Sequence, residues 1–271
     1  MTDKKRIILV PYDYSELSVY ATKHAVQIAK ITGSEITFLH IIQNISHEGV
    51  ETERLKEVAD NITNKYGVKT DIKIRPGKVS RVIKLMAEFL DVFLVVMKTQ
   101  PPIGKEKFTG TRTVRVMLGT PIPFYVAQEA PRRLAMRKVV FPIDFRFENK
   151  EKLSWVNTLA KYYRQKIYLF RPNDKDYRIR NNLNFAKRFL EGKNIDYEIV
   201  KAKGKYSMVE ETLNFAQEIK ADAMVIMLSK RLSIDKMLFG LKEQKYISNK
   251  YKIPVMCLSP RTDLTKYEGF Y

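Results

Sequence analysis

Pro11-Tyr12-Asp13 returns as Pro142-Ile143-Asp144, 131 residues further along the chain, and other landmarks keep the same spacing. Each copy opens on an apolar run that ends in Pro-x-Asp: Arg6–Val10 before Pro11, and Lys138–Phe141 before Pro142. Each closes alike, with Pro121–Val126 and Ile253–Leu258, whose Pro123 and Pro254 are again 131 apart. Met97 with Met227, and Gly110 with Gly240, fall 130 apart. A register kept over that length is the mark of a duplicated unit, and 271 residues exceed what one core usually organises. The reading is two domains, 1–130 and 137–260, joined through the short linker Gln128–Met136, with residues 261–271 as a polar tail carrying Tyr267, Phe270 and Tyr271.

Within each copy, short apolar runs alternate with stretches of helical length, the pattern of βα units and a mainly parallel sheet. Strands are expected at Arg6–Val10, Glu35–Ile42, Lys69–Arg75, Val92–Met97 and Ile122–Ala127. In the second copy they fall at Arg137–Phe141, Lys166–Phe170, Ile195–Lys201, Ala223–Met227 and Ile253–Leu258. Their continuous apolar character suits strands buried on both faces. Leu17, Ala21, Ala25, Ile28 and Ala29 share one helical face, as do Val79, Val82, Ile83, Met86, Ala87 and Leu90. Second-copy helices are expected near Asn149–Arg164, Asp176–Glu191, Ser207–Ile219 and Leu241–Lys250, and Ser15 and Ser80 are candidate caps.

Charge is uneven. Residues 1–130 hold 19 basic and 14 acidic side chains, whereas residues 131–271 hold 30 and 16, so the second copy carries most of the net +19. Such a field attracts anions and says nothing about fold. The single Cys257 excludes an intramolecular disulfide framework, and no apolar run approaches the length of a membrane span. With no secretory leader, these features lead to the expectation of a cytoplasmic protein without membrane insertion.

An open parallel sheet takes ligands outside the carboxyl ends of its strands, where successive connections diverge. Asp13 follows the first strand, so its carboxylate can accept from a ribose hydroxyl or a base amino group, or it can cap the helix that follows. Asp144 admits the same two readings. The segment from Lys98 to Thr109 leads to Gly110-Thr111, where free amides at a helix start, with Lys98, Lys105, Lys107 and Arg112 nearby, suit a phosphate; a capped surface helix after a solvated loop fits equally.

With these residues in view, the chain resembles the universal stress protein family in its tandem form. The resemblance rests on Ile8–Glu16, Phe38–Ile41, Asp91–Met97, Gly110-Thr111 and Gly119–Phe124, and in the second copy on Val140–Asp144, Ala221–Met227 and Ile253–Cys257. It implies an α/β fold of two similar domains. Each would be a five-stranded parallel sheet in the order 3-2-1-4-5 with helices on both faces, and domains or subunits would pair through their last strands. It also implies a nucleotide site, ATP or AMP, in the first domain, carried over onto Pro11, Asp13, Ile41, Met97, Lys98, Gly110 and Thr111. The family's phosphate loop, Gly-x2-Gly-x9-Gly-Ser/Thr, is degenerate here. Its leading glycines fall on Lys98 and Pro101, and prolines 101 and 102 supply no amide hydrogen. In the second copy those positions are Leu228 and Arg231, and Gly240 is followed by Leu241, which has no hydroxyl. The second copy is therefore expected to be the degenerate partner, its Lys230, Arg231, Lys236 and Lys242 belonging to the basic surface.

His24, His40 and His47 lack metal-ligand spacing, and no nucleophile elbow or Walker loop occurs. The expectation is a non-enzymatic stress-response module that binds a nucleotide or other small anion, with a homodimer and a regulatory protein as further partners. A weak ATPase, with Glu106 as the nearest loop carboxylate, ranks behind it. The rival is a binder of nucleic acid or an acidic protein through the second domain. Nucleic acid is not an expected partner, because no reader motif or contiguous aromatic–basic run is present.

Overall fold

The computed structural model describes residues 6–99, 116–117, 120–133, 135–144, 149–228 and 242–259. The first half contributes β1 (Ile7–Pro11), α1 (Glu16–Thr32), β2 (Glu35–Ile42), α2 (Glu48–Tyr66), β3 (Thr70–Pro76), α3 (Val79–Phe89), β4 (Leu94–Lys98) and β5 (Phe124–Ala127). The second contributes β6 (Lys138–Pro142), α4 (Asn149–Ala160), β7 (Lys166–Arg171), α5 (Tyr177–Gly192), β8 (Tyr197–Lys201), α6 (Met208–Glu218), β9 (Ala223–Met227), α7 (Lys242–Ile247) and β10 (Val255–Leu258).

All ten strands form one sheet in the order β3-β2-β1-β4-β5-β10-β9-β6-β7-β8. Each half is thus a parallel 3-2-1-4-5 sheet, and the halves join where β5 and β10 pair antiparallel, Val126 opposite Val255 and Phe124 opposite Cys257. The last strands meet as the resemblance implied, and the pairing consumes both of those edges within the chain.

Alternation along the strands assigns the two faces. Ile8, Val10, Phe38, Val96, Tyr125 and Phe141 pack under α1, α2, α4 and α5 on one face. Leu9, Leu39, Val95, Phe124, Val140 and Cys257 pack under α3, α6 and α7 on the other. The expectation of strands buried on both faces holds for the central eight. It fails at β3 and β8, the two ends of the sheet, where several residues of each strand are exposed because no neighbouring strand continues the layer.

Local signals act as their chemistry dictates at most helix starts. Ser15 caps α1, its Oγ accepting from Ser18 N, and Ser207 with Glu210 forms a reciprocal capping box on α6. Ser80 does not cap α3: the N-cap is Lys78, without a side-chain bond, and Ser80 lies inside the first turn. The segments 100–115, 229–241 and 260–271, which hold Gly110, Thr111, Glu106, Lys230, Arg231, Gly240, Leu241 and the aromatic tail, lie outside the described residues.

Candidate functional site at the carboxyl ends of β1, β2 and β4

β1 lies between β2 and β4, so the connection leaving β1 and the connection entering β4 run to opposite sides. The crevice this opens is the ligand position of such sheets. Pro11 ends β1, Ile41 stands half-buried near the end of β2, and Met97 and Lys98 end β4. The fold therefore brings Pro11, Asp13, Ile41, Met97 and Lys98 to one end of the sheet.

The centre is Asp13. Its Oδ1 accepts from Ser18 Oγ at 2.6 Å, Ser15 Oγ at 2.7 Å and Ser15 N at 3.2 Å. Its Oδ2 accepts from the Lys98 amine, which also donates to Ser15 Oγ at 2.6 Å. Burial alone would raise the carboxyl pKa, but the Lys98 bond and the two serine hydroxyls outweigh it and hold Asp13 well below the usual carboxylate range. The two sequence readings of Asp13 meet here. The residue orients the Ser15 cap, and its half-exposed carboxylate still faces the crevice.

Lys98 departs from expectation. The sequence groups it with the phosphate loop, yet its amine turns back across the crevice to Asp13 and Ser15. A glycine at this position, as in the family pattern, has no amine to place there.

Beside Asp13 the chain bends through Tyr14 at φ 62°, a left-handed conformation that costs a non-glycine residue on the order of 1 kcal/mol. Packing holds it. The Tyr14 ring has the Arg54 guanidinium 3.7 Å from its centroid, the His40 ring at 4.9 Å, and Tyr12 edge-on at 5.4 Å. His40 Nδ1 donates to the Tyr12 carbonyl at 2.7 Å, and its Nε2 lies 3.6 Å from Glu51 Oε2. That oxygen is buried and, among the described residues, accepts no hydrogen bond. Burial raises both tyrosine pKa values, helped by Asp13 at Tyr12 and Glu51 at Tyr14, so both are neutral phenols at physiological pH. His40 is a rim histidine satisfied by the backbone.

The arrangement can bind: it offers one anionic acceptor, serine hydroxyls and a lysine amine. It assembles no activated nucleophile. Cys257 is fully buried in β10, where burial pushes its thiol pKa well up, and no metal-binding cluster occurs among the described residues. In the second copy the Asp144 carbonyl accepts from Asn182 Nδ2 at 2.8 Å, and residues 145–148 lie outside the described set.

Residues 5–128 match the universal stress protein family. The first half of the chain is a universal stress protein domain. A solved universal stress protein from Archaeoglobus fulgidus superposes over 95% of this chain and 97% of its own, with a TM-score of 0.77 at 18% identity. A putative universal stress protein from Pseudomonas aeruginosa covers 95% and 94%, with a TM-score of 0.69 at 16% identity. At such identities the likeness is one of fold, and it spans both copies, so the chain has the family's tandem form. No curated protein matches it in sequence. None of the described helices is long and apolar enough to cross a membrane.

Two features of the site escaped the sequence reading. The Lys98–Asp13 pair joins residues 85 positions apart, and only the β1–β4 neighbourhood reveals it. The Tyr12–Tyr14–His40–Arg54 stack likewise needs α2, which the sequence reading did not name.

Proposed function

We propose that this chain is a cytoplasmic, non-catalytic stress-response module whose first half retains one site for an adenosine phosphate, at the crevice between β1 and β4. The observation that carries this reading is the Asp13 carboxylate, kept ionised and facing the crevice by Lys98, Ser15 and Ser18. A ribose hydroxyl that reaches Asp13 displaces the Lys98 amine, and the freed amine can then follow the phosphates. One lysine thereby guards the empty site and serves the filled one. Catalysis is no part of the proposal, and the output is a contact with a regulatory protein. Because β5 and β10 already satisfy each other, a homodimer of this chain has to use another surface.

Isothermal titration with ATP, ADP and AMP tests the reading. Binding should weaken by about tenfold or more in Asp13→Ala, in keeping with about 1.5–3 kcal/mol for a hydrogen bond to a charged group. Flat heats for all three nucleotides with the native protein would remove the nucleotide site.

A further inference from the structure

The second copy's excess charge is concentrated at the carboxyl ends of β7 and β8. These strands are parallel neighbours, Arg171 opposite Lys201, and Ala202 N donates to the Arg171 carbonyl at 2.8 Å, so the loops that leave them start side by side. The loops stay in touch: a Cβ placed on Gly204 would lie 3.6 Å from Asn173 Nδ2. From the first loop and the start of α5, Lys175, Tyr177 and Arg178 stand exposed. Lys201, Lys203, Lys205 and Tyr206 stand exposed from the second. The two tyrosines are 64% and 66% exposed, unusual for large rings with no structural duty.

The acids nearby are largely engaged. Asp176 is bound by Arg178 and caps α5, and the Glu210 carboxylate is held by Ser207. The buried Glu211 carboxylate accepts from the backbone N–H groups of Lys203, Lys205 and Tyr206 at 2.5, 2.6 and 3.0 Å, which fixes the curve of the loop while its side chains face out. Asp174 is the one exposed acid of the first loop with no cation engaged in these bonds, against the three lysines of the second. Past Tyr206 an open groove of about 410 Å³ continues along α6 between Glu210, Leu213, Asn214 and Lys250. The first half has no counterpart: its loops between β2 and α2 and between β3 and α3 contain no aromatic residue besides His47, and Glu48 and Glu51 oppose their cations.

Cations that follow a backbone, together with exposed rings on which bases stack, are what binding of a single strand requires. We propose that the β7–α5 and β8–α6 loops form a docking surface for single-stranded nucleic acid, with Tyr177 and Tyr206 as stacking platforms and Lys175, Lys201, Lys203 and Lys205 as phosphate contacts. The sequence shows no contiguous aromatic–basic run because two separate loops supply it. The surface is independent of the nucleotide site.

Fluorescence anisotropy with a labelled single-stranded 15-mer of RNA or DNA, across 50–200 mM salt, reads the proposal. The single strand should bind more tightly than a blunt duplex of the same length. Tyr206→Leu should weaken it about tenfold, the scale of one lost base–aromatic stack. Lys203→Gln with Lys205→Gln should make the plot of log affinity against log salt shallower by about two. Lys56→Gln, on α2 of the other half, should change neither, and thermal unfolding of each variant confirms that it folds. The proposal is overturned if the single strand does not bind at 50 mM salt. It is equally overturned if duplex and heparin bind as well and Tyr206→Leu has no effect, which marks a general polyanion surface, or if an acidic peptide binds while oligonucleotides do not.

Discussion

Lowering the pH from 7 to 4.5 should destabilise this protein through one residue, His24, more than through any other single histidine. His24 lies on α1, 4% exposed, with its ring against Tyr125 and its Nε2 donating to the Glu129 carbonyl at 3.0 Å. Burial pushes its pKa down to about 4 from an ordinary 6.5, and the bond to Glu129 only partly opposes this. Between those values the unfolded chain takes up a proton that the folded chain refuses. The contribution is therefore complete above about pH 6.5 and is lost as the pH falls towards 4. At about 1.4 kcal/mol per pH unit the ceiling is about 3 kcal/mol, a large part of the roughly 5–15 kcal/mol typical of a domain. Urea denaturation from pH 7.5 to 4.5 reads the loss, with His24→Gln as the comparison, since the amide can still donate to the Glu129 carbonyl and does not titrate. The native protein should lose about 2–3 kcal/mol more than the variant over that range, with other groups cancelling in the difference. An NMR titration placing His24 near 6.5, or equal pH dependence in the two proteins, would refute the reasoning.

Lys98→Met keeps the aliphatic stem and removes the amine. The Asp13 carboxyl should then titrate nearer its ordinary 3.8, seen in the ¹³C shift of the carboxyl carbon. Because Asp13 is half exposed, the pair contributes only about 0.5–1 kcal/mol after solvent screening. That contribution is present above the ordinary carboxylate value and vanishes as the pH falls through the depressed one, so variant and native stabilities should converge in acid. Arg6→Ala removes a guanidinium lying over Phe93 of the first half and Tyr162 of the second, beside the Phe93–Trp155 ring contact at 5.2 Å. Stability should fall by about 0.5–1 kcal/mol, and the emission of Trp155, the single tryptophan, should shift; unchanged emission would mean that the seam does not depend on Arg6.

What the sequence revealed follows from where the signals are local. The ten strands were legible because the central ones are buried on two faces and read as unbroken apolar runs, as in Leu94–Lys98 and Ala223–Met227. α2 was not, because only Leu55 and Ala59 of its nineteen residues are buried, leaving too thin a stripe. At the site, Asp13 and its neighbours were legible from the Pro-x-Asp turn, whereas the Lys98 partnership was not. Chain distance hides a pair that β1 and β4 place side by side, and a lysine in a glycine's position suggested loop charge rather than a contact across the crevice.

The antiparallel junction has a consequence for how the two halves can work together. All first-half strands run one way along the sheet and all second-half strands run the other, because β5 pairs parallel with β4 and antiparallel with β10. The Asp13 crevice and the β7–β8 loops, each at carboxyl ends, therefore open on opposite edges of the same sheet. A ligand at one cannot touch a ligand at the other, so any influence between them has to pass through the packed seam of β5, β10, His24 and the linker around Glu129. Duplication followed by internal pairing thus frees the second copy's strand ends from any shared duty with the first. The loss of a phosphate-binding turn there and the gain of exposed lysines and tyrosines are compatible within one rigid sheet.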